Sequence, residues 1–311
     1  MSTTARLRYI KWDDKFLTEK PYHLYMDPPP GLPISNYTII PGPVETIHNL
    51  RGREDDFNLN DNGFVVVHQP FPLAGSSSSG ASDMEGTPEE GVAPKIDETF
   101  INEIYLPSLE SLLHRTLGHP PSECEIIWFD WRVRSSDGSK RQVPTGTKWY
   151  LDDRSVELAP VQTVHVDQSP LSAVKRVRKL VGDERADELL ATKRVRLLNI
   201  WRPYSVGPVE CHPLAICDGS TVPSEKLVAA DAVRRSYVGE AYYLVEHAGY
   251  RWYFLDRQKR EEVLVFKMYD SDRNVKAKCV PHVSFEQSTG GDNPPPPRES
   301  IEARALVFTP L

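Results

Sequence analysis

The segment TVHVDQSP, residues 163–170, combines the end of a strand, the start of a helix and two side chains that can bind a metal ion. His165 and Asp167 are two positions apart, and side chains at that spacing lie on the same face of a strand. Ser169 followed by Pro170 is typical of a helix N-cap and first helical position. The segment therefore predicts a strand-to-helix turn with an imidazole and a carboxylate on one strand face.

Helices are predicted on both sides of this segment. Before it, apolar residues recur at helical spacing over residues 96–117, and Pro107 is expected to kink that helix. After it, the helix that starts at Pro170 ends at Gly182, and a second short helix covers residues 185–192. The first of these two helices carries several basic residues, for which we predict a solvated face, with an anion site as the alternative: Lys175, Arg176, Arg178 and Lys179.

The rest of the chain has the pattern of short strands. Residues 1–62 are predicted to be an extended region broken by turns, and residues 73–92, rich in serine and glycine, a mobile surface loop. A short helix is expected at 224–235, and strands at 63–68, 195–201, 213–217, 241–245, 251–255, 262–268, 278–284 and 300–308. Short strands without regular strand–helix alternation favour an α+β fold with an antiparallel core, here in a single domain, residues 1–311.

Charge and cysteine usage narrow the class of protein. The net charge of -7 argues against a nucleic-acid partner, which needs a basic face. The four cysteines have irregular spacings that fit neither a zinc knuckle nor a disulfide framework, so free thiols in a reducing compartment are expected. We find no signal-peptide core and no apolar stretch of membrane-spanning length, which predicts a cytoplasmic protein without a membrane partner. The sequence indicates no oligomeric state.

A third candidate metal ligand lies far downstream. Two imidazoles and one carboxylate can hold three adjacent corners of an octahedral Fe(II) ion and leave three positions for substrate, oxygen or water. His282, in a strand-like stretch, could complete such a set with His165 and Asp167. In a jelly roll these sites lie on different strands and meet at the mouth of the barrel. The alternative is that the His-Val-Asp triplet is a surface hydrogen-bonded pair, since such triplets also occur by chance.

An arginine shortly after His282 suggests a co-substrate that carries a carboxylate. Four side chains share one face of the strand that begins there: Arg298, Ser300, Glu302 and Arg304. Charge on an inward strand face is costly unless it is paired or binds something. A guanidinium with a neighbouring hydroxyl suits a ligand carboxylate.

The sequence resembles the fungal non-haem iron oxygenases related to aspergillic-acid hydroxylase, gibberellin desaturase and the cephalosporin 7-methoxylase subunit. The resemblance extends from about Gly63 to Phe308 and fades before Gly63. It rests on motifs that occur in the family's order, namely His165-Val166-Asp167-Gln168-Ser169, Asn199-Ile200-Trp201-Arg202-Pro203, Pro213-Leu214-Ala215, Arg251-Trp252-Tyr253, Pro281-His282 and Pro297-Arg298-Glu299-Ser300.

The resemblance implies a double-stranded β-helix, or jelly-roll, core flanked by helices. It also implies an Fe(II) centre held by His165, Asp167 and His282, with 2-oxoglutarate and O2 as co-substrates. Arg298 with Ser300 would grip the distal carboxylate of 2-oxoglutarate, and Arg304 is a rival for that role.

The resemblance offers two alternative roles for one further arginine. Arg202 would meet a substrate or co-substrate carboxylate, or would form a structural ion pair with Asp218 or Glu262. Three aromatic side chains in the same motifs are predicted to belong to the core rather than to a pocket wall: Trp201, Trp252 and Tyr253.

The function implied is hydroxylation or desaturation of a small secondary metabolite, begun by hydrogen abstraction from a C–H bond. Two alternatives stay open: a zinc-dependent hydrolase that uses the same His/Asp/His site, and a jelly-roll binding module without catalysis. The identity of the substrate and the choice among hydroxylation, desaturation and ring formation do not follow from the sequence.

Overall fold

The computed structural model describes residues 1–72, 96–140, 154, 157–287 and 294–311. The predicted mobile loop, residues 73–92, lies outside the described residues. The helices within these ranges are α1 (Glu98–Phe100), α2 (Leu106–Leu117), α3 (Pro170–Val181) and α4 (Asp183–Thr192), with a π-helical turn, Ile101–Tyr105, between α1 and α2. Short 3-10 turns cover Asp14–Leu17, Glu54–Asp56, Gly138–Lys140, Gly219–Thr221 and Ser224–Lys226.

The described residues form fourteen strands in two sheets. The strands are β1 (Thr3–Ile10), β2 (Tyr22–Leu24), β3 (Ile39–Asn49), β4 (Phe64–His68), β5 (Glu125–Ser135), β6 (His165–Val166), β7 (Arg194–Pro203), β8 (Leu214–Cys217), β9 (Leu227–Val233), β10 (Val238–Leu244), β11 (Trp252–Phe254), β12 (Glu262–Asp270), β13 (His282–Ser284) and β14 (Glu299–Thr309). The larger sheet has nine strands in the order β1-β3-β11-β8-β13-β6-β10-β9-β2, and the smaller has five in the order β4-β12-β7-β14-β5. All neighbours are antiparallel except β11 with β3 and β2 with β9. The prediction of a mixed α+β fold with a mainly antiparallel core is confirmed.

Two apolar cores separate the layers. The first lies between the sheets and draws on both of them, with members such as Leu7, Phe64, Leu214, Phe266 and Phe308. The second lies between the other face of the five-stranded sheet and the helices α1 and α2, with members such as Leu109, Leu113, Val265 and Ile301. Because successive side chains of a strand point to opposite faces, each strand of the smaller sheet supplies both cores in turn.

Local sequence signals explain where the helices begin and end. The Ser169 side chain accepts a hydrogen bond from the Ser172 N–H, which confirms the predicted N-cap of α3. Gly118 ends α2 with φ 69, a left-handed conformation that glycine adopts without a steric penalty. Pro107 lies in the first turn of α2 and has no N–H to donate to the preceding turn. Where the sequence predicts a kink, the structure has a π-helical turn, Ile101–Tyr105, directly before α2.

One expectation about local structure needs correction. The helix predicted at 224–235 is wrong, because this segment forms a 3-10 turn and then β9, which pairs with both β10 and β2. Pairing on both edges outweighs the helix propensity of its alanines. The region 1–62, predicted to be extended and broken by turns, contains β1, β2 and β3, which belong to the nine-stranded sheet.

Two further observations concern the cysteines and the helices. All four cysteines are free thiols, and Cys124, Cys217 and Cys279 are buried. Within the described ranges, no helix has the length and apolar character needed to cross a membrane.

Candidate metal centre

The structure brings the three predicted metal ligands together between the two sheets. His165 on β6 and His282 on β13 are direct partners across neighbouring strands. Nε2 of His165 lies 3.6 Å from Oδ1 of Asp167, and Nε2 of His282 lies 3.8 Å from Oδ2 of the same carboxylate. One donor atom from each residue lies within 4.8 Å of the other two. The three side chains thus converge on one point.

Backbone carbonyls orient both imidazoles. Nδ1 of His165 is 2.8 Å from the carbonyl oxygen of Thr163, and Nδ1 of His282 is 3.2 Å from that of Val280. A carbonyl only accepts, so each Nδ1 carries the proton and each Nε2 keeps its lone pair for a ligand bond. Burial, together with the nearby His165, lowers the pKa of His282 to about 3. The ring is therefore neutral, as a metal ligand must be.

The carboxylate of Asp167 is held from the facing sheet. Asn199 on β7 donates through Nδ2 to Oδ2 at 2.6 Å, and Arg304 on β14 donates through Nη2 to Oδ1 at 3.2 Å. Burial by itself raises the pKa of Asp167, but the charge of Arg304 holds it well below its usual range. Asn199 is a candidate site residue to which the sequence analysis gave no role, although a buried amide inside an apolar strand is a visible signal.

The donor set fits a first-row divalent metal such as Fe(II). Two neutral imidazoles and one carboxylate on adjacent corners form the facial arrangement typical of non-haem iron enzymes. Donor atoms 3.6 and 3.8 Å apart can each lie at an ordinary ligand distance, about 2.0–2.2 Å, from one ion. The hydrogen bonds on Nδ1 and on the carboxylate supply the outer-sphere support that such ligands need.

The two rival arginines have different surroundings. Arg304 is neutralised by carboxylates: its Nη1 donates to Asp130 at 2.8 Å, and its Nη2 contacts both Asp167 and Glu302. Arg298 forms no ion pair with a carboxylate among the described residues, and its buried Nε has no hydrogen-bond partner there. Burial lowers the pKa of Arg298 to about 9, and the charge of Arg134 adds to this effect. Arg298 therefore keeps unused capacity to bind an anion.

The backbone at His212 fixes the position of Arg298. Nη1 of Arg298 donates to the His212 carbonyl at 2.8 Å and lies 3.3 Å from Oγ of Ser284. The guanidinium carbon lies 5.6 Å from the centre of the Trp201 ring. The Ser300 hydroxyl, on the same strand face, is buried without a hydrogen-bond partner in the described part of the chain.

Two neighbouring cavities adjoin the centre. The larger has a volume of about 610 Å³ and is bordered by His165 and Asp167. The smaller, of about 20 Å³, is bordered by His282, Trp201 and Arg298. Both cavities share part of their wall: Arg134, Val161, His165 and Arg304. Trp201, Trp252 and Tyr253 lie in the core between the sheets, as predicted, and Trp201 also borders the smaller cavity.

The structure does not bring Arg202 to this site. Side chains alternate along β7, so Arg202 points to the face opposite Asn199 and Trp201. There Nε donates to the Arg260 carbonyl at 2.6 Å and Nη2 to the Gln69 carbonyl at 2.8 Å. The expected ion pair with Asp218 or Glu262 is also wrong, because those carboxylates pair with other arginines, Arg251 and Arg51.

Strand β5 supplies site residues that the sequence analysis overlooked. Asp130, Arg132 and Arg134 line the larger cavity, whereas Trp131 and Val133 belong to the core beneath α1 and α2. The alternation of charged and apolar residues over 130–134 was the available signal.

The predicted solvated face of α3 is wrong for one residue. Arg176 lines the cavity, with its guanidinium carbon 5.0 Å from the Phe129 ring centre and 4.6 Å from that of Tyr237. By contrast, Arg178 is half-buried, does not line the described cavity wall, and pairs with Asp183 and Asp187.

Comparisons with known proteins agree with the chemistry of this centre. A family model described as an oxidoreductase/YMDC permease-like domain matches residues 7–308. The hydroxylase/desaturase CTB9 of Cercospora beticola is 31% identical over 276 residues, which is 84% of this chain and 75% of that protein. The Fe(II)/2-oxoglutarate-dependent dioxygenase NvfI of Aspergillus novofumigatus is 27% identical over 300 residues, which is 94% of this chain and 92% of that protein.

A solved structure shows the same fold. The iron and alpha-ketoglutarate-dependent endoperoxidase NvfI superposes with a TM-score of 0.76 at 24% identity, covering 100% of this chain and 99% of the other. The family match begins at residue 7, so the expectation that the resemblance fades before Gly63 needs correction.

The site and the fold define a non-haem iron oxygenase. The chain belongs to the fungal family of Fe(II)/2-oxoglutarate-dependent dioxygenases, hydroxylases and desaturases. The predicted class of enzyme is thereby confirmed, with Fe(II), 2-oxoglutarate and O2 as its cofactor and co-substrates. The named relatives are oxygenases, which argues against both the zinc hydrolase and the binding module.

Proposed function

We propose that this enzyme hydroxylates or desaturates a small secondary metabolite at an unactivated C–H bond. The observation that carries the proposal is the convergence of His165, Asp167 and His282 beside a cavity of about 610 Å³. A volume of this size suits an organic molecule of drug-like dimensions. The printed names of two relatives, both hydroxylase/desaturases, support this pair of outcomes.

The proposal extends to the architecture of the chain. The two sheets would form a jelly roll within a single domain, with the iron at its mouth. Support comes from the core between the sheets, whose members run from Leu7 to Phe308. The four free thiols favour a reducing compartment, so we place the enzyme in the cytoplasm.

Each polar residue at the centre has a separate task in this proposal. His165, Asp167 and His282 hold Fe(II), while Arg298 and Ser300 hold the distal carboxylate of 2-oxoglutarate. Fe(II), 2-oxoglutarate and O2 supply the oxidising power that protein side chains lack. The guanidinium of Arg298 suits this task because no carboxylate of the described chain neutralises it and its Nε is still available to donate.

Arg304 and Asn199 are positioning residues in this scheme. They donate to the two oxygens of Asp167 from the facing sheet, and so fix the plane of the carboxylate. Arg304 also compensates the negative charge of Asp167 in a buried place. Because Asp130, Asp167 and Glu302 already surround it, Arg304 is a poor candidate for the co-substrate carboxylate.

The larger cavity would orient the substrate and exclude water. Its wall includes several aromatic side chains, namely Tyr25, Tyr37, Phe129, Tyr237 and Tyr243. These provide broad apolar contact with a few polar tips, the usual composition of a small-molecule site. The C–H bond that lies nearest the iron is then set by the shape of this wall.

Anaerobic Fe(II) titration tests the proposal. We expect His165→Ala and His282→Ala to lose Fe(II) affinity by about two orders of magnitude or more, and to release no succinate when 2-oxoglutarate and O2 are added. His68→Ala is the matched control, since His68 is exposed at the end of β4. Wild-type Fe(II) affinity in both site variants would falsify the ligand set. Intact Fe(II) binding without succinate release from the wild-type protein would contradict the oxygenase reaction instead.

A further inference from the structure

The wall of the larger cavity carries an excess of positive charge. Among the described residues, six arginines line it: Arg8, Arg132, Arg134, Arg176, Arg234 and Arg304. The described wall carries three carboxylates, those of Asp130, Asp167 and Glu240. Arg304 belongs to the proposed iron centre, and Arg298, in the smaller cavity, belongs to the proposed 2-oxoglutarate site. These two sites give no role to the other arginines of the larger cavity.

The three carboxylates are already engaged. Asp167 belongs to the metal centre and pairs with Arg304. Asp130 lies 2.8 Å from Nη1 of Arg304 and 3.3 Å from Nη2 of Arg132. Glu240 accepts hydrogen bonds from Lys20 and Ser169. The cavity therefore presents a positive field to any molecule that enters it.

Arg132 is buried with donor capacity to spare. Its side chain is on the cavity face of β5, the residue is 6% exposed, and Nη1 has no hydrogen-bond partner among the described residues. Burial lowers the pKa of Arg132 to about 10, and the neighbouring cations Arg304 and Arg234 add to this effect. A buried guanidinium with an unused N–H is unfavourable unless a ligand accepts from it.

Arg176 approaches the same cavity from α3. The rings of Phe129 and Tyr237 lie within 5.0 Å of its guanidinium carbon. Such contacts fix a guanidinium group without using its hydrogen bonds. Its buried Nε has no hydrogen-bond partner in the described part of the chain. Arg132 and Arg176 thus combine fixed positions with unused donors.

We propose that Arg132 and Arg176 bind a carboxylate of the substrate, so that the enzyme acts on an organic acid. This inference rests on the proposed function and names the substrate class of the same cavity. Guanidinium groups match the geometry of a carboxylate and bind it by charge-assisted hydrogen bonds. Anchoring the acid group between β5 and α3 leaves the rest of the molecule to extend along the wall towards His165 and Asp167.

A pair of probes that differ only in charge tests the inference. We compare 2-naphthoate with 2-naphthamide, by calorimetry, on enzyme saturated anaerobically with Fe(II) and 2-oxoglutarate. Saturation with 2-oxoglutarate keeps the probe acid away from the co-substrate site. We expect the acid to bind about tenfold or more tightly than the amide. Equal binding of the two, or no binding of the acid at millimolar concentration, overturns the inference.

Variants assign the binding to the two arginines. We expect Arg132→Gln and Arg176→Gln each to weaken 2-naphthoate binding about tenfold and to leave 2-naphthamide binding unchanged. Arg178→Gln is the control that should bind both probes like the wild type, because Arg178 is on the same helix as Arg176 but pairs with Asp183 and Asp187 and is not among the described residues of the cavity wall. If Arg132→Gln does not fold, Arg132→Lys keeps the charge but loses the fork, and we expect a smaller loss of acid affinity.

The 2-oxoglutarate KM separates this role from the co-substrate site. We expect Arg132→Gln and Arg176→Gln to keep the wild-type KM for 2-oxoglutarate. A raised KM with unchanged 2-naphthoate binding overturns the inference, because these arginines would then serve the co-substrate. The probe measurement needs no turnover, so a protein that prefers the acid but never releases succinate contradicts the proposed function alone.

Discussion

At the scale of single residues, Asp167 links the two sheets by hydrogen bonds. It follows β6 in the nine-stranded sheet, yet both of its oxygens accept from residues of the five-stranded sheet. Asn199 and Arg304 are direct partners across β7 and β14, so their spacing is set by the sheet itself. The orientation of this ligand therefore depends on how the sheets face each other.

Asn199→Ala tests that dependence. We expect Fe(II) affinity to fall about 10–100-fold, because outer-sphere partners of metal ligands typically contribute this much. Anaerobic Fe(II) titration of the folded variant measures the change, and circular dichroism checks the fold. Asn274→Ala, at an exposed position, is the control. Unchanged Fe(II) affinity in Asn199→Ala would show that the hydrogen bond to Asp167 has no positioning role.

Substitution of the two rival arginines should have different consequences. We expect Arg298→Gln to raise the KM for 2-oxoglutarate about 10–100-fold, because a charge-assisted pair is lost. Arg304→Gln should instead lower Fe(II) affinity, because it leaves Asp167 and its neighbours less compensated. Steady-state kinetics and Fe(II) titration separate the two effects, with the exposed Arg257→Gln as control. The opposite pattern would exchange the roles of Arg298 and Arg304.

At the scale of elements, β12 ends in a buried charge cluster. Nζ of Lys267 lies 2.8 Å from Oδ2 of Asp270, and both side chains are 0% exposed. Arg194 on β7 adds a second donor to the same oxygen at 2.7 Å. The cluster ties the ends of two neighbouring strands of the smaller sheet.

Asp270→Asn should destabilise the fold strongly. Removal of the carboxylate leaves the Lys267 charge buried and uncompensated, which costs about 3–5 kcal/mol in the free energy of unfolding. Urea unfolding measures the change. Lys276→Ala, which breaks an exposed pair with Asp61, should stay within about 0.5 kcal/mol of the wild type. Similar losses in both variants would show that burial of the pair is unimportant.

The same cluster predicts a dependence on pH. Burial raises the pKa of Asp270, but Arg194 and Lys267 outweigh it and lower the pKa below its usual value. Between this lowered pKa and the ordinary carboxyl pKa, the folded protein therefore binds fewer protons than the unfolded chain. The stabilisation is complete above the ordinary carboxyl pKa, about 3.9, and is lost as the pH falls below it. Urea unfolding at neutral pH and at pH 3 measures this loss. We expect the free energy of unfolding to fall less between the two pH values for Asp270→Asn than for the wild type.

Prediction of helices and strands from the sequence succeeded where the deciding interactions lie between residues close together in the chain. Ser169 and Pro170 identified the start of α3, because a cap depends on residues within one turn. It failed at β9, where pairing with two strands from distant parts of the chain decided the conformation. Arg176 was assigned to the solvated face of α3 for a similar reason, since only packing against Phe129 and Tyr237 shows which face meets the cavity.

At the scale of the whole molecule, Fe(II) should act as a cross-link. Its proposed ligands are His165 on β6, Asp167 directly after β6 and His282 on β13, and the unfolded chain does not hold them together. Ligand binding to the folded state alone stabilises it by about 2.7 kcal/mol at a free Fe(II) concentration of 100 Kd. We expect a higher Tm with anaerobic Fe(II) than with EDTA, measured by scanning calorimetry. The His165→Ala variant should show no such rise, and an equal rise would place the metal elsewhere.

The sequence by itself indicated the proposed ligand set, and its resemblance to a known family predicted the class of enzyme. His165 and Asp167 share a strand face because of their spacing, and His282 and Arg298 follow in the order of the family's motifs. Only the tertiary structure decided which charges are paired. Arg304 is neutralised, Arg298 is not, and Arg202 faces away from the site. The physical reason is that pairing depends on strand register and on the distance between facing sheets, which are properties of contacts between residues far apart in the chain.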